Sequence, residues 1–176
     1  MNRDADLIVI GKIDPKYIIN EENSYVEGFM HNRTLGSYYS IAPFIVLKTL
    51  KGNKNIELID LLQPVAITRD PYNRPVKLKI RGYTELTNIN YYLLYLKKLE
   101  YDELSDISYG ISAIYYGRVK LGPLDINNET QKADIFDYYY YDKYDGDIDL
   151  VNRVQYIALL RYEEKINEFA FRINQN

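Results

Sequence analysis

The chain has 176 residues, of which 47% are hydrophobic and 27% charged, and its formal net charge is −3. That length fits one domain with an appendage, and that apolar content is enough for a packed core, which excludes a chain disordered throughout. The absence of cysteine excludes disulfides, thiol catalysis and thiolate metal sites, and a slightly acidic chain with no basic block is a poor match for a phosphate backbone.

Twenty tyrosines and no tryptophan mark the composition. Tyrosine buries a large ring yet keeps a hydroxyl that needs a partner, and usage rich in Tyr, Asn and Ile together is also what an AT-rich genome produces. No apolar run approaches the ~20 residues that span a bilayer. The first strand begins at Leu7, which fits an intact gene product and one relieved of a targeting segment equally well.

Leu7–Ile13 is short and β-branched and reads as a strand buried on both faces over its first half. Asp14-Pro15 ends it. Residues 14–37 are polar loop material, with a short strand predicted inside them at Tyr25–Phe29. Tyr38–Leu50 is the next extended segment, and Pro43 within it should mark an edge or a bulge, because it cannot donate to a ladder. Lys51-Gly52-Asn53-Lys54 reads as a turn, with Gly52 and Asn53 both tolerant of positive φ. Ile56–Leu62 is the return strand. Its apolar phase shifts from even to odd positions, which predicts a bulge near Leu58-Ile59. Asp70–Pro75 is a turn-rich loop, Val76–Ile80 alternates as a half-buried strand, and Gly82–Asn90 connects it to Tyr91–Leu99, apolar enough for a central strand. Tyr109–Leu121 reads as one long strand bending at Gly110 and Gly117. Residues 124–147 are acidic and tyrosine-dense. From Asp149 to Ile173 the period becomes helical, with Val151, Val154, Ile157, Ala158, Tyr162, Ile166, Phe169, Ala170 and Ile173 on one stripe. Asp147 or Asp149 can cap this helix, and Glu168 and Arg172 form a favourable i, i+4 pair.

Short bulged strands followed by a terminal helix suggest a small closed barrel of the OB type. The order of Ala5–Ile13, Val46–Gly52, Gly82–Leu86, Asn90–Lys98 and Tyr109–Gly117 resembles the netrin-like barrel of the tissue inhibitors of metalloproteinases, and more closely its bacterial relatives, many of them exported or lipid-anchored. The resemblance covers roughly residues 4–121. It implies a netrin-like fold and an extracytoplasmic setting. The zinc-chelating device of the animal inhibitors does not transfer, because it needs an N-terminal cysteine.

Candidate site residues are few. His31, the single histidine, sits in a polar loop with no nucleophile motif beside it. Asp142, Asp145, Asp147 and Asp149 crowd around Gly146 as a calcium site would, but with Gly146 at the sixth loop position the first and third fall on Tyr141 and Lys143, so the EF-hand register fails. The acids there also suit a helix N-terminus. Adjacent carboxylates such as Glu21-Glu22 and Glu163-Glu164 point apart and offer no acid–base pair. Tyr138, Tyr139, Tyr140 and Tyr141 cannot all face one way, so some of them form a candidate partner-binding patch, unless they plug the barrel end and cover the helix. Lys77, Lys79 and Arg81 alternate on one outer strand face and are the support for a second reading, an OB-type binder of oligosaccharides or single strands. A carboxylate-based hydrolase is a third.

The expectation is a mainly β protein. Residues 1–123 form an OB-like, netrin-like closed barrel of about five strands, 124–147 an acidic connector, and 148–176 a helix packing on the barrel. Functionally it is a non-catalytic binding module, extracytoplasmic and bacterial, with no cofactor and no metal, whose partner is a protein or cell-surface ligand. It is a monomer, or a weak homodimer through the far half of the helix, whose first half, through Ala158, docks on the barrel.

Overall fold

The computed structural model describes residues 4–27, 37–80, 83, 85–100, 104–112, 117–122 and 148–173. Along these the strands are β1 (Leu7–Ile13), β2 (Ser24–Val26), β3 (Tyr38–Lys51), β4 (Leu58–Gln63), β5 (Val65–Arg69), β6 (Pro75–Lys79), β7 (Tyr91–Lys98), β8 (Ser108–Ile111) and β9 (Arg118–Gly122), followed by the helix α1 (Ile148–Ile173).

β1 pairs antiparallel with both β3 and β7, β3 with β4, and β7 with β8. A parallel pairing of β4 with β8 closes the ring. The result is a closed five-stranded barrel in a mainly β chain, with β2 and β9 added at its margins. In chain order the ring runs first, second, third, fifth, fourth, the Greek-key order of an OB-type barrel. The first two long strands are neighbours as expected, and the turn at Gly52 joins β3 to β4. Gly52 takes φ 98° there, whereas Asn53 acts through its side chain, which accepts from the Asn55 amide at 3.0 Å.

Two layers of core follow from strand alternation. Inside the barrel lie Leu7, Val9, Ala42, Phe44, Ile59, Leu61, Leu94 and Leu96. Leu86, from the β6–β7 connection, plugs one end of this interior. Outside it, Ile8, Ile10, Leu93, Tyr95, Val119 and Leu121 pack against α1. β1 and β7 are therefore buried on both faces, which is why their sequences read as continuous apolar runs.

Four expectations are corrected. First, the β3–β4 register is unbroken, and the bulges fall instead in β1 against β3, at Ile8/Val9 and Ile10/Gly11, and at Tyr91/Tyr92. The phase shift at Ile56–Ile59 arises because β4 starts only at Leu58, so Ile56 belongs to the turn. Second, Tyr109–Leu121 is two strands: the Tyr95 amide donates to the Gly117 carbonyl and the Tyr95 carbonyl accepts from the Ser112 amide, so the chain leaves β7 and returns at a single residue. Third, Val65–Arg69 is a strand, and β5 and β6 form a separate two-stranded sheet outside the ring. Pro43 does sit where a neighbour gives out: its carbonyl accepts from Asp14, the residue just beyond β1.

The fourth correction concerns α1. Ala158, Leu159, Tyr162, Ile166, Phe169 and Ala170 are buried, and Ile157 is 58% exposed. The far half of the helix is thus docked on the barrel together with Ala158, whereas the expectation placed only the half through Ala158 there. The side chains of 148–155 and of Ile173 lie outside the description, as does Asp147. Glu168 accepts from Lys48 of β3 at 2.9 Å, with the charge of Arg172 also favouring its carboxylate, and Lys48 also donates to the Lys165 carbonyl. These contacts tie the helix to the barrel rim. Tyr91 meets Phe169 edge-on at 5.9 Å and Tyr95 meets Tyr162 at 6.4 Å, so part of the tyrosine content serves this seam.

Candidate binding face

With α1 over β1, β7 and β9, the opposite side of the ring is the outer face of β3 and β4. Ser40, Ala42, Phe44 and Val46 point inward, so Tyr39, Ile41, Pro43, Ile45 and Leu47 point outward. Opposite them in register, Ile41 faces Leu62, Pro43 faces Asp60 and Ile45 faces Leu58. β2 extends the same face, with Tyr25 paired to Tyr39 and the two rings stacked at 4.9 Å. From Tyr39 to Leu47 the stripe runs ~27 Å at ~3.4 Å per residue. Its ends are the most open: Tyr25 is 37% exposed, Leu47 42% and Leu58 45%.

Electrostatically the face is quiet. Asp60 is its one side chain charged at neutral pH among the described residues of β3 and β4 up to Leu47, and the Ser105 hydroxyl donates to its Oδ2 at 2.6 Å. The described residues of β2, of β4 and of β3 up to Leu47 include no lysine or arginine, and Lys12 of β1 flanks the face beside Ile45.

The residues singled out in sequence lie elsewhere. Tyr138, Tyr139, Tyr140 and Tyr141, His31 and the acidic positions Asp142, Asp145 and Asp147 fall outside the described residues, and Asp149 falls in the first turn of α1. Lys77 and Lys79 are exposed on β6, as their alternation predicts, while Arg81 is outside the description. They stand on the two-stranded hairpin and not on the ring. Lys77 donates to Glu85 at 2.7 Å. On the same hairpin Arg69 is paired with Glu21 and Arg74 with Asp70, at 2.9 and 2.6 Å. Asp70 sits well below the usual carboxylate range because the Arg74 side chain and backbone donate to it, helped by the Tyr72 amide. Glu21-Glu22 and Glu163-Glu164 are exposed, and no group of three or more metal-ligating side chains occurs among the described residues. Among them no helix is long and apolar enough to cross a membrane.

Comparison with protein-family models, with curated proteins and with solved structures found no match.

Sequence reasoning missed this face because Tyr38–Leu50 reads simply as an extended segment, with no face assigned to either side. The signal was present: the strand is apolar on both faces, yet a five-stranded ring can enclose only one of them.

Proposed function

We propose that this chain is a non-catalytic interaction module that binds a protein partner through the outer face of β2, β3 and β4. One observation carries the reading: on the side away from α1, half-exposed Tyr25, Leu47 and Leu58 continue a stripe of Tyr39, Ile41, Pro43, Ile45 and Leu62 with almost no charge on it. Contiguous apolar surface on a folded domain marks a recognition site, and an interface core is where aromatic residues gather and charges thin out. The second and third strands of an OB-type barrel are also its customary binding face. The order of segments, similar to netrin-like bacterial barrels, supports an exported module.

The test compares the wild-type chain with the double variant Leu47→Asp, Leu58→Asp, both immobilised and presented with the proteins of the source cell envelope. A protein retained by the wild type and lost by the folded variant is the expected result. Identical retention by the two forms would overturn the reading.

A second reading has one observation behind it. At the hairpin tip Tyr72 is 79% exposed and the Arg74 guanidinium lies 5.2 Å from its ring, an aromatic beside a cation, as in single-strand binders. The acids paired with Arg69, Arg74 and Lys77 weigh against it. Oligonucleotide binding that falls steeply with salt would favour it over the protein-binding reading.

A further inference from the structure

We propose that the cleft at the end of the barrel where β1 and β4 finish binds a small neutral polyhydroxylated ring, the chemistry of a monosaccharide. The site is separate from the sheet face and does not depend on that reading. Its volume is about 190 Å³, below the ~300–1,000 Å³ of sites for drug-sized ligands and far above the ~30 Å³ share of one water. One ring fits that space.

Its floor is apolar, formed by Ile13 and by Leu86, the residue that plugs the barrel. Over this floor converge polar groups. Gln63 lines the cleft and is 2% exposed. Its Oε1 accepts from the Tyr83 hydroxyl at 2.9 Å and from the Leu86 amide at 3.0 Å. These two donors fix the orientation of the amide, so that Oε1 is engaged and Nε2 is the end that can donate. Beside it, Tyr17 Oη and Ser40 Oγ are buried close together, and neither completes a hydrogen bond. Burial pushes the Tyr17 hydroxyl pKa up, with the Ser40 hydroxyl opposing and Glu85 adding to the shift, so Tyr17 stays a neutral donor. Buried polar groups without partners are rare in folded proteins and call for an occupant.

The remaining chemistry selects the class. Among the described residues Glu85 is the one charged side chain lining the cleft, and Lys77 already neutralises it. A cation would have to displace that lysine, and an anion would meet the carboxylate. A sugar ring needs neither: its C–H face rests on the aliphatic floor, and its hydroxyls both donate and accept. They can accept hydrogen bonds from Gln63 Nε2 and Tyr17 Oη and donate one to Glu85. Ile18, 75% exposed, stands at the rim where an apolar contact would hold the ring in place.

The test is a titration of the full chain with the methyl glycosides of glucose, galactose, mannose and N-acetylglucosamine, followed by amide NMR. At least one is expected to bind with a Kd on the order of 1 mM and to shift the Gln63 side-chain amide and the Leu86 and Thr87 backbone amides. Tyr17→Phe should raise the Tm, because a partnerless hydroxyl is gone, yet weaken that binding about tenfold. Glu85→Gln, at the partly exposed rim, should also weaken it about tenfold. A hydroxyl with only a structural role would change stability and leave binding alone. No shift at Gln63, Leu86 or Thr87 with any of the four glycosides would overturn the site, as would unchanged binding in both variants. Shifts produced by acetate or choline in place of the glycosides would overturn the ligand class.

Discussion

Gly11 shows how one missing side chain shapes the barrel. A Cβ there would lie 2.1 Å from the Ile45 carbonyl oxygen and 2.5 Å from the Phe44 ring, so β1 and β3 approach as closely as they do only because position 11 is bare. Gly11→Ala should lower stability by about 3 kcal/mol, the upper end for an overpacked core, read as a shift in the urea midpoint. An unchanged midpoint would mean the two strands can part at the neighbouring register shift without cost. Tyr95 shows the same economy in polarity. It is 2% exposed, and burial pushes its hydroxyl up to about 12, with Tyr162 adding to the shift and Arg161 opposing it. In the unfolded chain a tyrosine titrates near ~10. Below that pH both states keep the proton and stability is unaffected. Between about 10 and 12 the unfolded state releases the proton while the folded state holds it, so stability falls as pH rises, by on the order of 2 kcal/mol for this one group. Thermal melts across this range should show the decline, and Tyr95→Phe should flatten part of it. The acid side runs the other way. The Lys98 amide, with Lys97, holds Asp6 below its usual value despite some desolvation, so its contribution is present above pH ~4 and is lost as pH falls through the depressed pKa.

The helix divides cleanly into what a periodic pattern can and cannot say. Its existence and length were legible, because apolar residues recur at helical spacing for 26 residues. Its docked face was not fully legible, because it carries apolar residues on both sides: Tyr156, Ile157, Leu160 and Phe171 are exposed, at 48% to 61%. Periodicity assigned Ile157 to the stripe, whereas the barrel selected Leu159, two residues on and nearly on the far side of the helix. The two faces should therefore respond differently to substitution. Phe169→Ala, which removes a buried ring from the Tyr91 contact, should cost about 3 kcal/mol in chemical denaturation. Ile157→Glu should change stability by no more than ~0.5 kcal/mol. If Ile157→Glu proved the more damaging of the two, the docking described for α1 would be wrong.

For the molecule as a whole, the ring is only as strong as its shortest seam. β1 and β3 share six paired positions, whereas β8 shares three with β7 and three with β4, the latter the parallel pairing that closes the barrel. Parallel pairs are also slightly weaker per residue. Native-state hydrogen exchange should thus find the Asp60 amide, which donates to Ile107 across this seam, opening before the β1 amides that pair with β7. Protection of Asp60 equal to that of β1 would mean that the barrel opens only by global unfolding.

The amino-acid sequence by itself determined the strands at Leu7–Ile13, Tyr38–Leu50, Val76–Ile80 and Tyr91–Leu99, the long terminal helix, that the first two long strands are neighbours and that the barrel closes with about five strands. These follow from alternation, β-branching and turn chemistry, all of which act over a few residues. Tertiary structure decided the rest: the placement of the bulges, the splitting of Tyr109–Leu121 around Tyr95, the face that α1 presents, and the uncovered side of β3 and β4. Each of these depends on what lies across the ring from a given side chain. A residue's polarity states that it must be buried or wet, and only its distant neighbours settle which surface does the burying.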